Sequence, residues 1–393
     1  MWYTKQPEKI HEALRGGRVE AIQTGKFEKV TAIDINSHYP DSISKIRLPN
    51  LKTQTYHNKP LEKWDKDKLL RYIGIMNCMM IVKENEYGIL PIRIDETNTE
   101  YPNKTGQIIV GTWTHKEIRE AIKRGYKLIH AEWSYTWEDT ENTIKPIMQK
   151  LYELKQTSKD EIDKHFYKML LNGAIGKFAQ IRENKEYEWD TIENDIPRRN
   201  SGWQPVEIYG IHRLYMKTTG INYPKYYAPI INVLTTAQAR IQLLKYMEKI
   251  PREKLYYVDT DSLIGDTKTI ENAIFKYSKD LGSMKVEAKN TKLHIYGKKT
   301  YRIGDNIKLS GVGKTWITPE DFEKGEITYK RMLTNRQTPR MNEIGTFETI
   351  TRNLNDTKKQ AFENKQLIQE QQVFIDNRSD GSPYLQKIGQ WKQ

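Results

Sequence analysis

The chain has 393 residues, enough for roughly two to three domains with sizeable cores, and a formal net charge of +13 that favours a polyanionic partner. Its one cysteine, Cys78, excludes an internal disulfide and suits a reducing compartment. Neither a secretory leader nor a run of about 18 apolar residues occurs, so a soluble, cytoplasmic protein without a membrane span is expected.

Ile10 to Leu14 reads as the end of a short helix, stopped by Arg15-Gly16-Gly17-Arg18. Such a Gly pair either ends a helix or lets backbone approach a phosphate between cations, which would make Arg15, Gly16 and Gly17 nucleic-acid contacts. Val30, Ala32 and Ile33 then predict a buried strand running into Asp34, closed by a turn at Pro40. An acid at a strand end, followed by Ser37 and Tyr39, has the layout of a metal site beside a ligand pocket; a simple Asx turn is the alternative.

Between residues 49 and 150, Met76–Val82 and Ile108–Trp113 read as strands. Thr114–Lys123 reads as a helix opened by a Thr cap with Glu three residues on. A helical pattern runs from Ile144 to Lys155, breaks near Thr157-Ser158, and resumes from Lys159 to Gln180. Lys168, Asn172, Ile175 and Gly176 recur at the spacing of one helix face. That face suits a triphosphate and a base pair, or plain solvent. Residues 181–225 read as a polar loop or hairpin insertion, and Thr235–Leu244 as an amphipathic helix.

Leu255–Ile264 is the most informative stretch. It is a branched and aromatic run with Asp259 and Asp261 in its middle. Buried acids are costly unless paired or bound to metal, and positions i and i+2 of an extended chain share a side. Strand, tight turn, strand is therefore expected, with both acids at the tip. Beyond it, Ile270–Tyr277 reads as helix, and Gly297–Ile303 as a basic strand that follows a sugar-phosphate backbone or guards a sheet edge. Ser310–Thr315 resembles a P-loop tail, but Lys308 stands where the motif needs its first Gly. A helix is expected from Pro319, and a polar, mostly helical tail from Glu320 to Gln393.

In this order the segments resemble the family B DNA polymerases, most closely the protein-primed type of bacteriophages and linear mobile elements. Leu14-Arg-Gly-Gly17 is similar to that type's Tyr-x-Gly-Gly, and Asp34-Ile-Asn-Ser-His-Tyr-Pro40 to Asp-x-x-Ser-Leu-Tyr-Pro. Lys168–Gly176 resembles Lys-x-x-x-Asn-Ser-x-Tyr-Gly, with Gly173 for Ser and Ile175 for Tyr. Tyr257–Ser262 matches Tyr-x-Asp-Thr-Asp-Ser throughout, and Lys299-Thr-Tyr301 matches Lys-x-Tyr.

The resemblance implies an α+β right hand: an antiparallel palm sheet, helical fingers, a small thumb and two insertions. Its parts would be residues 1–48 (first palm part), 49–150 (first insertion, docking a priming protein), 151–180 (fingers), 181–225 (second insertion, encircling DNA), 226–308 (palm) and 309–393 (thumb and extension). Asp34, the Ile35 carbonyl and Asp261 would hold two Mg2+ ions, replaceable by Mn2+, with Asp259 as the assisting acid. Ser37, Lys155 and Lys168 would hold the triphosphate. Tyr39 would gate the sugar, and Asn172 and Gly176 would line the base pair. Lys299, Tyr301 and Lys308 would contact DNA.

The implied partners are primer–template DNA, dNTPs, a priming terminal protein and a separate exonuclease or processivity subunit. Only thirteen residues precede Leu14, so the family's exonuclease domain and its proofreading are expected to be absent. Ile175 in place of Tyr implies weaker minor-groove checking. The competing expectations are a primer-independent polymerase, a catalytically silent DNA-binding relative, and a nucleotide-sugar transferase using Asp259-Thr-Asp261.

Overall fold

The apolar runs beside Asp34 and Asp259 meet in one antiparallel sheet in a computed structural model of the chain. The structure describes residues 7–58, 70–95, 98–209, 211–310, 312, 317–332, 347–355 and 373–375. Two compact units emerge: one drawn from Met1–Ala179, Tyr226–Lys298 and Lys359–Gln393, the other from Gln180–Lys225 and Lys299–Lys358.

In the first unit, helix α1 (Pro7–Glu12) leads to strands β1 (Val19–Ala21) and β2 (Gly25–Ile35) and helix α2 (His38–Lys45). Strands β3 (Ile73–Ile81) and β4 (Ile108–Thr114), helix α3 (His115–Lys123) and strand β5 (Lys127–Trp137) follow. Helices α4 (Ile144–Thr157) and α5 (Glu161–Lys177) pack together. Helix α6 (Pro229–Met247), the hairpin β6 (Leu255–Asp259) and β7 (Ser262–Asp266), and strand β8 (Met284–Gly297) complete the part that positions the site.

Five strands run antiparallel in the order β1–β6–β7–β2–β8. In a second sheet, β3 lies between β4 and β5. Ile33, Val258 and Leu263 of the first sheet share one core with Met76, Cys78 and Met80 of β3 and with Leu243, Leu244 and Met247 of α6. Fifteen of the nineteen residues of α6 are buried, which marks it as a central helix rather than an amphipathic surface one. Its polar side chains are therefore matched inside. The Arg240 guanidinium pairs with Glu117 at 2.7 Å and donates to the Arg15 and Gly16 carbonyls at 3.1 and 2.7 Å. Gln242 donates to Asp41 at 3.0 Å.

In the second unit, Arg182–Thr191, Gln204–Tyr209 and His212–Asn222 form a three-stranded antiparallel sheet. Two further antiparallel pairs join Thr300–Ile303 to Asn306–Leu309 and Glu326–Met332 to Phe347–Asn353. Among the described residues no helix is long and apolar enough to cross a membrane.

The capping box expected at Thr114 is present, with Glu117 as its reciprocal partner. Five local expectations need correction. Pro40 makes no strand-closing turn; it sits in the first turn of α2, where a missing N–H is tolerated. The helix expected at 270–277 lies instead at Thr267–Asn272, because Asp266 caps it by accepting from the Thr269 N–H at 3.0 Å. Gly297–Ile303 is not one strand: β8 ends at Gly297, Lys299 is left-handed (φ 58°), and the next strand starts at Thr300. The tail begins with the expected helix, Pro319–Lys324, but its next described residues form an antiparallel strand pair rather than helix. Ile175 does not join Lys168, Asn172 and Gly176 in solvent, although the helix period places it near Lys168 around the axis. It is buried with Leu171, its i−4 neighbour, against Ile43, Met148 and Tyr152. Most of Ser310–Thr315 lies outside the described residues.

Candidate active site

The two acids of the β6–β7 hairpin flank Thr260, a β-branched residue in the left-handed region (φ 58°). That conformation is strained and must be held by its surroundings. Three contacts do so. The Thr260 N–H donates to the Arg18 carbonyl at 2.7 Å, and the Thr260 carbonyl accepts from His38 Nδ1 at 2.9 Å. Gly17 packs so close that a Cβ there would lie 2.5 Å from Thr260 Cγ2, which explains glycine at this position. The Arg15–Gly17 segment, itself gripped by Arg240, is thus the wall behind the hairpin.

Asp34 reaches the same place along β2. It stands opposite Ser262, and the Ile35 N–H donates to the Asp261 carbonyl at 2.7 Å. Residues 227 positions apart therefore lie side by side. Burial pushes the Asp261 carboxyl up to about 7, with the charges of Asp34 and then Asp259 adding to it. Asp34 is raised as well, chiefly by burial, against the pull of Lys285. Lys285 lies opposite Asp34 on β8 and brings its Nζ to 3.4 Å from the carboxylate.

On the facing side, Lys155 of α4 donates to Ser37 Oγ at 3.3 Å. Ser37 is left-handed (φ 48°) and makes no side-chain cap to α2, so its hydroxyl is turned to this use. The Lys155 ammonium is depressed by burial, then by the charges of Lys168 and Lys285. Lys285 and Lys155 thus act on the acids, and Lys168 lies beside Lys155. Tyr39, half-buried, hydrogen-bonds the Gly17 backbone and feels the charges of Asp261 and Asp259.

A pH dependence follows from Asp261. Its carboxyl is raised in the folded chain, so its contribution to stability is complete below the usual carboxylate range, near pH 4, and is lost as pH rises through about 7. In divalent-free buffer the melting temperature should fall between those limits more steeply for the wild type than for Asp261→Asn. Equal slopes would contradict the crowding of acids described here.

Asp34, Asp259, Asp261, Ser37, Tyr39, Lys155 and Lys168 are thus brought to one place, and Asn172 and Gly176 lie exposed on the face of α5 that carries Lys168. Arg15 corrects the expectation of a phosphate contact: it is 3% exposed, donates to the Thr112 carbonyl at 2.6 Å and faces inward. Lys299, Tyr301 and Lys308 belong to the second unit, where Tyr301 and Lys308 stand opposite one another. His38, Lys285 and Arg240 were not foreseen. His38 stands out in the sequence as the polar residue where the motif has Leu, though nothing there shows its contact with Thr260; the other two carry no local signal.

Hard oxygen donors crowded until one resists ionisation suit a magnesium ion, and the Lys285 ammonium supplies part of the missing positive charge. Among the described residues no three His, Cys, Asp or Glu side chains form a complete metal cage.

The chain belongs to the family described as DNA polymerase type B, organellar and viral, which matches residues 3–203. It is similar to the DNA-directed DNA polymerase of Enterobacteria phage PRD1, 26% identical over 324 residues, covering 79% of this chain and 54% of that one. A DNA polymerase of Kluyveromyces lactis is 24% identical over 348 residues, 79% of this chain and 33% of its own length. The chain therefore spans about half or less of these relatives. Its fold is similar to phi29 DNA polymerase solved with primer-template DNA and incoming nucleotide substrates, with TM-score 0.63, 19% identity, and coverage of 90% of this chain and 63% of that one.

Proposed function

We propose that the chain is a DNA-templated DNA polymerase that adds dNTPs to a primer 3′-hydroxyl or to a priming-protein hydroxyl. The observation that carries this is the meeting of Asp34 with the Asp259–Asp261 hairpin, opposite Lys155 and Lys168. Asp34, Asp261 and the Ile35 carbonyl would hold two Mg2+ ions, which when bound supply activation of the attacking hydroxyl and charge neutralisation at the leaving pyrophosphate. Phosphoryl transfer is mainly positioning and electrostatics. Lys155 and Ser37, already hydrogen-bonded, offer a preformed cradle for the triphosphate, with Lys168 beside it. Asp259 adds negative charge behind Asp261, and His38 fixes the turn between them.

By position, residues 1–48 and 226–308 are assigned to the palm, 151–180 to the fingers and 309–393 to the thumb. Residues 49–150 and 181–225 are assigned to the two insertions, the first of which would meet a priming terminal protein. Lys299, Tyr301 and Lys308 would contact DNA. Proofreading is no part of the proposal, since the residues named account for nucleotide addition alone.

Extension of a primer on single-stranded DNA, run with and without primer and with and without template, tests the assignment. Template-dependent dNTP addition is expected; template-independent transfer or no transfer would sink it. The Tyr39 ring, packed beside Gly17 and the acids, should fill the space a 2′-hydroxyl would need. Tyr39→Val is therefore expected to raise ribonucleotide use at least about tenfold, a difference of about 1.4 kcal/mol in barrier. Unchanged sugar selectivity in a running-start assay would remove Tyr39 from that role.

A further inference from the structure

A cleft away from the catalytic acids collects cations, of which Arg47 is paired only with a half-exposed carboxylate and Lys116 and Arg119 are bound to neutral acceptors. It has a volume of about 110 Å³ and lies among the end of α2, Tyr72–Gly74, the start of α3 and one side of α6. Arg47, Lys116 and Arg119 line it, and the Lys245 charge reaches Lys116. Most of their hydrogen bonds go to neutral acceptors: Lys116 donates to the Gln238 side chain, Arg119 to the Leu70 carbonyl, and Arg47 to the Arg71 carbonyl at 2.7 Å. The acids nearby are committed elsewhere or exposed. Glu120 is engaged by Arg124 at 2.7 Å and Lys123 at 3.4 Å, and Asp139, 3.2 Å from Arg47, is half-exposed.

Cations pinned by neutral groups keep their charge and repel one another. The Lys116 ammonium is accordingly depressed, first by burial and then by Lys245 and Arg119, with Glu120 opposing them and Arg47 adding to them. Holding like charges together in a cleft is unfavourable unless an anion sits among them. The volume takes a tetrahedral oxyanion with a few waters, and two guanidinium groups offer the planar donor forks that suit phosphate.

We propose that this cleft binds one backbone phosphate of a nucleic-acid strand. Helix α2 runs from the active-site Ser37 to the cleft, and its eight residues span about 12 Å at 1.5 Å per residue, within reach of a strand that also occupies the site. Only the choice of a nucleic acid as the source of the phosphate rests on the polymerase reading.

The test is equilibrium binding of labelled single-stranded DNA to the full chain by fluorescence anisotropy, without dNTPs or divalent ions, between roughly 50 and 200 mM salt. Lys116→Gln/Arg119→Gln should weaken binding to every sequence about tenfold at the low end and reduce the slope of log K against log salt by about 0.7. Arg47→Gln, on an exposed side chain, should do the same if the double variant fails to fold, while Lys123→Gln on the outer face of α3 should leave the slope unchanged. A wild-type slope in the folded Arg47 variant overturns the proposal, as does a fall for Lys123→Gln equal to that of the cleft variants. Loss of affinity for polyglutamate alone would assign the cleft to an acidic protein. No nucleotide addition is involved, so a chain inactive in primer extension would still report on the cleft.

Discussion

Asp261→Asn is expected to abolish nucleotide addition, by at least about 10²- to 10³-fold, the scale for losing one group that stabilises charge in the transition state. The chain should remain folded. Asp261 resists ionisation because it is buried beside Asp34 and Asp259, so removing its charge relieves repulsion rather than breaking a pair. At pH 8 without divalent ions the variant should therefore melt no lower than the wild type and should still bind primer–template DNA. Asp34→Asn should lose addition equally but differs in one respect: it gives up the 3.4 Å contact with Lys285. Single-turnover incorporation beside a thermal melt separates chemistry from folding. Retained addition in either variant would remove that acid from the metal site.

The second large effect concerns stability. Arg240 and Glu117 are each about 3% exposed and pair at 2.7 Å. Glu117 is held below the usual carboxylate range by Arg240, although burial opposes this. Arg240→Ala would leave that charge buried without its partner, a loss of about 3–5 kcal/mol. The same substitution frees the Arg15 and Gly16 carbonyls behind the Asp259–Asp261 hairpin. Urea unfolding should show the shift in midpoint at unchanged slope, and Arg240→Met/Glu117→Gln should recover much of it because no uncompensated charge remains. A loss below about 1 kcal/mol for Arg240→Ala would mean the pair is far more solvated than its burial indicates.

What was legible in the sequence was what local rules govern. The hairpin at Asp259 follows from branched residues on both sides of a short polar turn, and the α3 capping box from Thr114 and Glu117 three residues apart. The placing of Asp34 beside Asp261 came from resemblance, not periodicity, because nothing in either stretch encodes a partner 227 residues away. Three kinds of residue were misread or missed. Arg15 looked like a phosphate ligand because a cation beside two glycines gives no sign of its burial against Thr112. Ile175 was grouped by helical spacing with Lys168 as a ligand-facing residue, whereas its apolar side chain is buried with Leu171 in the core. Lys285 stood unnoticed in a basic chain, since only strand register sets it against Asp34.

The Arg240–Glu117 pair also bears on how such a chain can change over time. Glu117 belongs to residues 49–150, the segment expected from the sequence to be an insertion. Here that segment supplies the counter-charge for the central helix and part of the shared core. It cannot be trimmed away as a module. Any descendant or engineered version that dispensed with it would need a coordinated replacement of Arg240 and of the apolar residues facing β3, so loss should proceed by substitution within the segment rather than by its deletion.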